Sequence, residues 1–331
     1  MFDYLSRTAT LSMPGYMDKV LHRFRRLLGT GKPQAASPSV YTPPAYGIST
    51  QFVPVDTTAL LSPADKLEMQ ELVGCVLYYA RAIDHTLLPS VNHISSIQST
   101  LTQHVQVMGQ RLLAYGAAYP NNELVYHASD MTLCVQSDCS YLSRPKAGSV
   151  VGGIGYLSSA TTPQVLNGAV FVTSSLLDVV VASAAEGEYG SVFFNAKHAV
   201  GTRTILTAVG YPQPPTPILT DNACAVGLAN DSVKVKRGKS IDMRFHWIRD
   251  RIKQGHFTVT WVAGADNLAD FFTKALPVRR HQALMKLLVH TPIPAAAHFA
   301  SSRGRKATAY RRYKASIATP VPHQLLATLV Q

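Results

Sequence analysis

Several residue types and patterns are scarce in this 331-residue sequence, and their scarcity excludes whole classes of protein. The four cysteines, Cys75, Cys134, Cys139 and Cys224, show no CxxC spacing, which argues against a disulfide framework and a structural zinc site. No apolar run approaches the roughly 18 residues of a membrane span, and the N-terminus lacks the layout of a secretory signal. We therefore expect a reduced, intracellular protein, cytoplasmic or nuclear, with no membrane partner.

Acidic residues are also few. The 19 Asp and Glu residues stand against 31 Lys and Arg, which gives a formal net charge of +12. Such an excess suggests a polyanionic partner, most often nucleic acid. The plainer alternative is a globular protein that is merely basic, since the 47% of hydrophobic residues is ordinary and the chain is long enough for a sizeable core.

Composition divides the chain into five segments. Residues 1–30 contain a short helical pattern, residues 31–60 form a linker rich in Pro, Gly, Ser and Thr, and residues 61–123 form a helical region. Residues 124–290 alternate between strand and helix patterns. Residues 291–331 hold no acidic residue and no periodic apolar face, which predicts a basic, disordered tail.

The alternating segment predicts an α/β fold. In order, it contains three strands, a helix, a strand, two helices, a strand and a last helix that we place over residues 267–276. Such an order implies a mixed sheet with helices packed on it.

Four acids punctuate this segment at different element boundaries. Asp138 and Asp221 follow apolar strand patterns, and Glu188 and Asp270 open apolar helical patterns. Mg²⁺ prefers oxygen ligands, and phosphodiester hydrolysis commonly uses two ions about 3.5–4 Å apart. Three or four gathered carboxylates could hold both ions, with Mn²⁺ as the alternative metal.

Each acid also has a structural interpretation. Asp138 could be a turn residue after a strand, Asp221 could be a helix N-cap, and Asp270 could gain from the helix macrodipole. Glu188 has a competitor in Glu186, which is the third-position partner of Ser183 in a capping box and is therefore already engaged. Any single acid is weak support for a metal site, whereas four at successive boundaries are stronger support.

Motifs in a fixed order add a family resemblance over residues 10–290. The sequence resembles the C-terminal part of copia-type retrotransposon polyproteins in the segments LSMPGYMDKVLHRF, LVGCVLYYARAIDHTLLPSVNHIS, YHASDMTLCVQSDCSYLS, SAAEGEYGSVFFNAK, PQPPTPILTDNACAVGLAN, KVKRGKSIDMRFHWIRDRIKQG and NLADFFTK. The resemblance implies an RNase H-like mixed five-stranded sheet with flanking helices, preceded by the small helical connection region at residues 61–123. It implies two-metal hydrolysis of the RNA strand of RNA–DNA hybrids.

The resemblance also assigns the four acids. Its first aspartate falls on Asp138, its helix glutamate on Glu188, its third acid on Asp221 and its fourth on Asp270. The neighbours most easily confused with them are Glu186 and Asp266.

The sequence departs from the family pattern at several places. Cys139 and Gly187 stand where Ala is usual, and Gly187 would weaken the first turn of its helix by up to about 1 kcal/mol relative to Ala. The segment from Trp261 to Asn267 is short and has no histidine, so a histidine role in product release is not carried over.

The polymerase motif Y-x-D-D does not occur in the sequence. Residues 1–30 resemble only the segment that follows the polymerase palm, so we expect no reverse transcriptase activity from this chain alone. The alternative to a nuclease is therefore an inactive retrotransposon remnant that binds nucleic acid. A spread of the four acids over about 10 Å or more would favour that alternative.

Basic residues near the third acid are candidates for contacts with the phosphates of an RNA–DNA hybrid. Each could equally be a solvated surface charge. Further expected partners are a reverse transcriptase or the parent polyprotein. The candidate residues are Lys234, Lys236, Arg237, Lys239, Arg249, Arg251 and Lys253.

Overall fold

The alternating segment forms one mixed five-stranded sheet. In the computed structural model, which describes residues 1–29, 34–43, 56–159, 165–231 and 242–292, the sheet order is β6-β5-β4-β7-β8. Strands β4, β5 and β6 are antiparallel neighbours, and β7 and β8 run parallel to β4. The strands are β4 (Thr132–Arg144), β5 (Gly148–Ser158), β6 (Ala169–Leu176), β7 (Thr216–Thr220) and β8 (Phe257–Trp261).

The helices of this segment pack on the sheet. They are α6 (Ala184–Ala208), α7 (Ala223–Ala229), α8 (Asp242–Lys253) and α9 (Val278–Leu288). Residues 133–139 of β4 are all buried, as expected for a central strand that is covered on both faces. The predicted mixed five-stranded sheet with flanking helices, preceded by a helical region, is therefore confirmed.

Two local predictions in this segment are wrong. Asp138 does not follow a strand but lies inside β4, paired with Gly152 of β5. The last helix does not begin at Asn267. That residue caps a short 3-10 turn, Leu268–Phe272, and helix α9 begins only after Pro277. The fixed φ of proline suits the entry to a helix better than its interior, so Pro277 separates the two elements.

The helical region precedes the sheet as expected. Its helices are α3 (Pro63–Ala82), α4 (Leu88–Ser96) and α5 (Gln103–Ala118), with α1 (Tyr16–Arg23) and α2 (Arg25–Leu28) before them. The Ser62 side chain accepts a hydrogen bond from the Asp65 backbone N–H at the start of α3. None of the helices in the described part of the chain combines the length and the apolar character that a membrane crossing requires.

A second, three-stranded sheet joins the two ends of this helical region. Its strands are β1 (Phe2–Asp3), β2 (Thr8–Ser12) and β3 (Glu123–His127), in the order β1-β2-β3. Strand β2 pairs antiparallel with β3 from Thr8–His127 to Ser12–Glu123. Residues 1–290 group into one compact unit. The division of the chain into five segments remains a prediction.

Candidate metal centre

Three of the four acids converge in the structure. Asp138, Glu188 and Asp221 each offer a carboxylate oxygen, and these three oxygens lie within 4.8 Å of one another. Strand β4 supplies the first acid, the start of helix α6 the second, and the end of strand β7 the third. Because β4 and β7 are parallel neighbours and α6 packs on β4, acids from distant sequence positions meet at one place.

The capping of helix α6 gives Glu186 and Glu188 different roles. The Ser183 hydroxyl oxygen accepts a hydrogen bond from the Glu186 backbone N–H at 3.2 Å, and Glu186 Oε2 accepts one from the Ala182 backbone N–H at 2.7 Å. Glu186 is thus used at the cap, while Glu188 is 7% exposed and belongs to the three-acid group.

The capping of helix α7 likewise leaves Asp221 to the acid group. The residue that caps this helix is Asn222, whose side chain accepts a hydrogen bond from the Ala225 backbone N–H at 3.0 Å. The Trp261 indole N–H donates to the backbone carbonyl of Asp221 at 3.0 Å. The helix-cap interpretation of Asp221 is therefore wrong, and so is the turn interpretation of Asp138, which lies in the middle of a strand.

A polar seam holds helix α6 against the sheet next to Asp138. The Ser191 hydroxyl donates to the Asp138 backbone carbonyl at 2.6 Å, and the Asn195 amide donates to the Gly152 carbonyl at 3.0 Å. A Cβ atom on Gly153 would lie 1.9 Å from Asn195 Oδ1, so only glycine permits this approach. The helix that carries Glu188 is therefore fixed directly to the strand that carries Asp138.

The two departures from the family pattern touch each other. A Cβ atom on Gly187 would lie 2.9 Å from the Cys139 sulfur, which is closer than real Cβ atoms come to a neighbour. The larger residue on β4 is thus matched by a smaller one in the first turn of α6. Together they keep the spacing between the strand of Asp138 and the helix of Glu188.

Burial and mutual repulsion raise the pKa values of two acids. Burial is the main cause for Asp138, followed by the charge of Asp270, and a Thr273 hydrogen bond opposes them. Burial also raises the pKa of Glu188, followed by the charges of Asp138 and Asp221. The Cys139 backbone N–H and the Thr220 hydroxyl, which donates to Glu188 Oε2 at 3.4 Å, oppose this rise.

This arrangement fits a divalent cation. Burial and the neighbouring charges raise the pKa values of Asp138 and Glu188, so a compensating positive charge at this place would favour their ionised forms. Their donor atoms are all oxygens, which hard ions such as Mg²⁺ prefer. Asp138, Glu188 and Asp221 are therefore the residues that would hold the metal.

Asp270 lies beside the group but outside it. It is 5% exposed and pairs with two cations, the Lys274 ammonium and the Arg280 guanidinium, the latter at 3.2 Å. It faces Asp138 closely enough for its charge to raise the pKa of that residue. The structure thus brings three predicted acids together and places the fourth next to the first, where it forms ion pairs with Lys274 and Arg280.

Comparison with known proteins finds relatives that cover most of the chain. The chain is 25% identical over 289 residues to the Retrovirus-related Pol polyprotein from transposon TNT 1-94 of Nicotiana tabacum, covering 86% of this chain and 20% of that one. It is 27% identical over 255 residues to the Pol polyprotein from transposon RE1 of Arabidopsis thaliana, covering 75% and 17%. Its homologues are retrotransposon Pol polyproteins.

The Pol homologues extend beyond plants. The Transposon Ty1-DR5 Gag-Pol polyprotein of Saccharomyces cerevisiae is 21% identical over 229 residues, with 67% of this chain and 13% of that one covered. The chain spans a fifth or less of the length of these Pol relatives. No protein-family model matches it. The resemblance to copia-type polyproteins is confirmed.

Solved structures similar to this chain include two RNases H. The N-terminal RNase H domain of rv2228c from Mycobacterium tuberculosis, solved as a fusion with maltose binding protein, is 16% identical, with a TM-score of 0.33 and coverage of 52% of this chain and 99% of that one. LC11-RNase H1 in complex with an RNA/DNA hybrid is 12% identical, with a TM-score of 0.32 and coverage of 43% and 94%.

The basic candidates predicted from the sequence lie in different environments. Arg249 donates to the Leu228 carbonyl at 2.9 Å and pairs with Asp231 at 2.5 Å, and its side chain is only 17% exposed. Arg251 lies over the Trp247 ring at 5.4 Å, while Lys253 is exposed. The remaining candidates, Lys234, Lys236, Arg237 and Lys239, lie outside the described residues.

Sequence reasoning missed three residues at the site. Lys274 stands four positions after Asp270, a spacing that favours ion pairs on helices and could have indicated it. Arg280 reaches Asp270 from helix α9 and Thr273 donates to Asp138, and no local pattern indicates either contact.

Proposed function

We propose that this chain is an RNase H-type endonuclease that hydrolyses the RNA strand of RNA–DNA hybrids by two-metal catalysis. The observation that carries the proposal is the convergence of Asp138, Glu188 and Asp221 within 4.8 Å. The oxygens of these three acids lie much closer together than the spread of about 10 Å or more that would favour an inactive remnant, while Asp270, the fourth acid of that criterion, lies outside the group. The homology to Pol polyproteins and the RNase H-like sheet support the same function.

The chain's own residues would assemble the reaction site. Asp138, Glu188 and Asp221 would hold the metal through their oxygens, and Asp270 would extend the acidic surface on the side of Asp138. When bound, Mg²⁺ or Mn²⁺ supplies the activation of water and the charge stabilisation that phosphodiester hydrolysis requires. Thr220 and the Cys139 backbone N–H orient Glu188 by hydrogen bonds.

The proposed partner is the hybrid itself, held through its phosphates by exposed cations such as Lys253. The 2′-hydroxyl groups of the RNA strand would distinguish it from DNA. A reverse transcriptase or the parent polyprotein is the proposed source of such hybrids. DNA synthesis is not proposed, since the Y-x-D-D motif is missing from the sequence.

A cleavage assay tests this function. Purified protein with Mg²⁺ should cut the labelled RNA strand of a hybrid and leave double-stranded DNA intact. Asp138→Asn should lower the rate by at least about 100-fold, because it removes one metal-binding charge at the centre of the group. Asp178→Asn, which changes an exposed aspartate outside the group, is the matched control and should cut normally.

Two results would contradict the proposal. The first is wild-type protein that binds a hybrid tightly but leaves it uncut with either Mg²⁺ or Mn²⁺, which would favour a nucleic-acid-binding remnant. The second is Asp138→Asn protein that cuts as fast as the wild type, which would locate the activity elsewhere.

A further inference from the structure

A threonine after the fourth acid links it to the first. Thr273 follows the 3-10 turn Leu268–Phe272 and is 1% exposed. Its hydroxyl oxygen lies 2.5 Å from Asp138 Oδ2 and 3.1 Å from the Asp270 backbone carbonyl. A hydroxyl donates a single proton, and the nearer, charged oxygen is the stronger acceptor. Thr273 therefore donates to the Asp138 carboxylate.

The methyl group of Thr273 sets the direction of this hydrogen bond. Gly152 is the cross-strand partner of Asp138, and a Cβ atom on Gly152 would lie 2.5 Å from the Thr273 methyl carbon. The methyl group thus packs on bare backbone directly opposite Asp138. Because β-branched side chains are stiff at χ1, packing the methyl group also fixes the hydroxyl.

The turn that presents Thr273 is itself anchored to β4. The Asn267 amide donates to the Ser137 carbonyl at 3.0 Å, and the Leu268 backbone N–H donates to Gln136 Oε1 at 2.6 Å. Both acceptors belong to the residues just before Asp138. The turn that carries the Thr273 hydroxyl is therefore held in place by the same strand that carries Asp138.

We propose that Thr273 is a positioning residue of the metal centre, which holds Asp138 in its metal-binding orientation and couples it to the turn of Asp270. This inference deepens the proposed function and rests on it. Partners that orient a ligand are commonly worth 10–100-fold in metal affinity. No other side chain in the described part of the chain combines a hydrogen bond to Asp138 with a contact to the backbone of Asp270.

Two substitutions separate the hydroxyl from the methyl group. Thr273→Val keeps the shape and loses the donor, whereas Thr273→Ser keeps the donor and loses the methyl contact. We expect Thr273→Val to weaken the binding of Mn²⁺ alone, measured by calorimetry without hybrid, by about tenfold. Thr273→Ser should stay within about threefold of the wild type, although it loses packing. Hybrid cleavage should follow the same order through kcat, with KM for the hybrid unchanged.

Several outcomes would decide the proposal. Equal Mn²⁺ affinity in the Val and Ser variants would overturn it, since the role would then be packing. If Thr273→Val does not fold, Thr273→Ala adds no bulk and must still bind Mn²⁺ more weakly than Thr273→Ser. Wild-type protein that cuts hybrids while Thr273→Val matches it in Mn²⁺ affinity and kcat would overturn this inference alone. Wild-type protein that binds no Mn²⁺ would overturn the proposed function and this inference with it.

Discussion

Cys139 and Gly187 show how single residues set the geometry of the acid group. The sulfur on β4 occupies the space that a Cβ atom in the first turn of α6 would need. Considered alone, Gly187 lowers the helix propensity of the first turn of α6, and Cys139 is larger than the Ala that is usual at its position. Read together, they preserve the distance between the backbones that carry Asp138 and Glu188.

A double-mutant cycle tests this pairing. Gly187→Ala should destabilise the wild-type protein by about 1–3 kcal/mol, because the added carbon collides with the sulfur. In a Cys139→Ala background, the same change should stabilise it by up to about 1 kcal/mol through helix propensity. Urea unfolding of the four proteins measures the coupling, and additive effects would show that the two sites are independent.

The raised pKa of Glu188 predicts that the metal-free protein loses stability as pH rises. The folded state holds this proton more tightly than the unfolded chain, where the pKa is near its ordinary value of 4.5. The unfolded chain therefore loses the proton first as pH rises, and the free energy of unfolding falls from about that pH upwards until the raised pKa is reached.

Glu188→Gln should remove this pH-dependent loss of stability. In EDTA at pH 8 we expect its Tm to exceed that of the wild type by about 2–4 °C, roughly 1 kcal/mol, with no gain at pH 4. Asp178→Asn is the control and should leave Tm unchanged at both values. Added Mg²⁺ should stabilise the wild type more than the variant. A lower Tm for Glu188→Gln at pH 8 in EDTA would contradict the claim that ionised Glu188 destabilises the metal-free protein.

At the scale of elements, the helical region covers an edge of the sheet. Strand β6 ends the sheet order, and three side chains from outside the sheet donate to its carbonyls. Tyr126 donates to Ala169 at 3.0 Å, Arg81 to Val172 at 3.2 Å, and Asn92 to Ser174. Uncovered edge strands invite pairing with other chains, so these contacts protect the sheet that carries the acids.

Removing these donors should expose the edge. Arg81→Met combined with Asn92→Ala should cost about 1–3 kcal/mol in the free energy of unfolding and promote concentration-dependent self-association. Arg279→Met, on the exposed side of α9, is the matched control. Denaturant titration and light scattering provide the two measurements. Unchanged stability and a monodisperse double variant would show that the edge needs no cover.

At the scale of the whole molecule, the five-stranded sheet and the helical region share one core. A single apolar cluster contains Met17 of α1, Leu72 of α3 and Leu113 of α5, together with Ile154 of β5 and Phe272 before α9. Buried Tyr115 of α5 also lies 3.2 Å from the His281 ring nitrogen of α9. Residues 1–290 therefore form one unit rather than a sheet domain with a separate helical appendage.

A shortened chain tests this unity. A protein restricted to residues 124–292 would lose the pairing of β3 and much of the shared core, so we expect it to lack a cooperative thermal transition. The full chain should show a single transition by circular dichroism. A shortened chain that unfolds cooperatively at the same temperature as the full chain would mean that the sheet folds independently of the helical region.

Much of the fold and three of the site acids could be predicted from sequence because their signals are local. Ser62 and Ser183 start helices through side-chain caps, and strand patterns precede Asp221. Three features could not be predicted, since they join residues far apart in the chain. They are the pairing of β2 with β3, the hydrogen bond from Thr273 to Asp138 and the ion pair of Asp270 with Arg280. The hydrogen bond from Arg249 to the Leu228 carbonyl could not be predicted for the same reason.

The pairing of β2 with β3 also orders events during synthesis. Thr8 leaves the ribosome more than about 100 residues before His127, its partner in the sheet. At about 5–20 residues per second, the first hairpin waits on the order of 10 s for its neighbour. During that interval the backbone groups of Thr8–Ser12 that pair with β3 in the folded protein have no partner. Residues 8–12 therefore present an unpaired strand edge to other chains until residues 123–127 have been made.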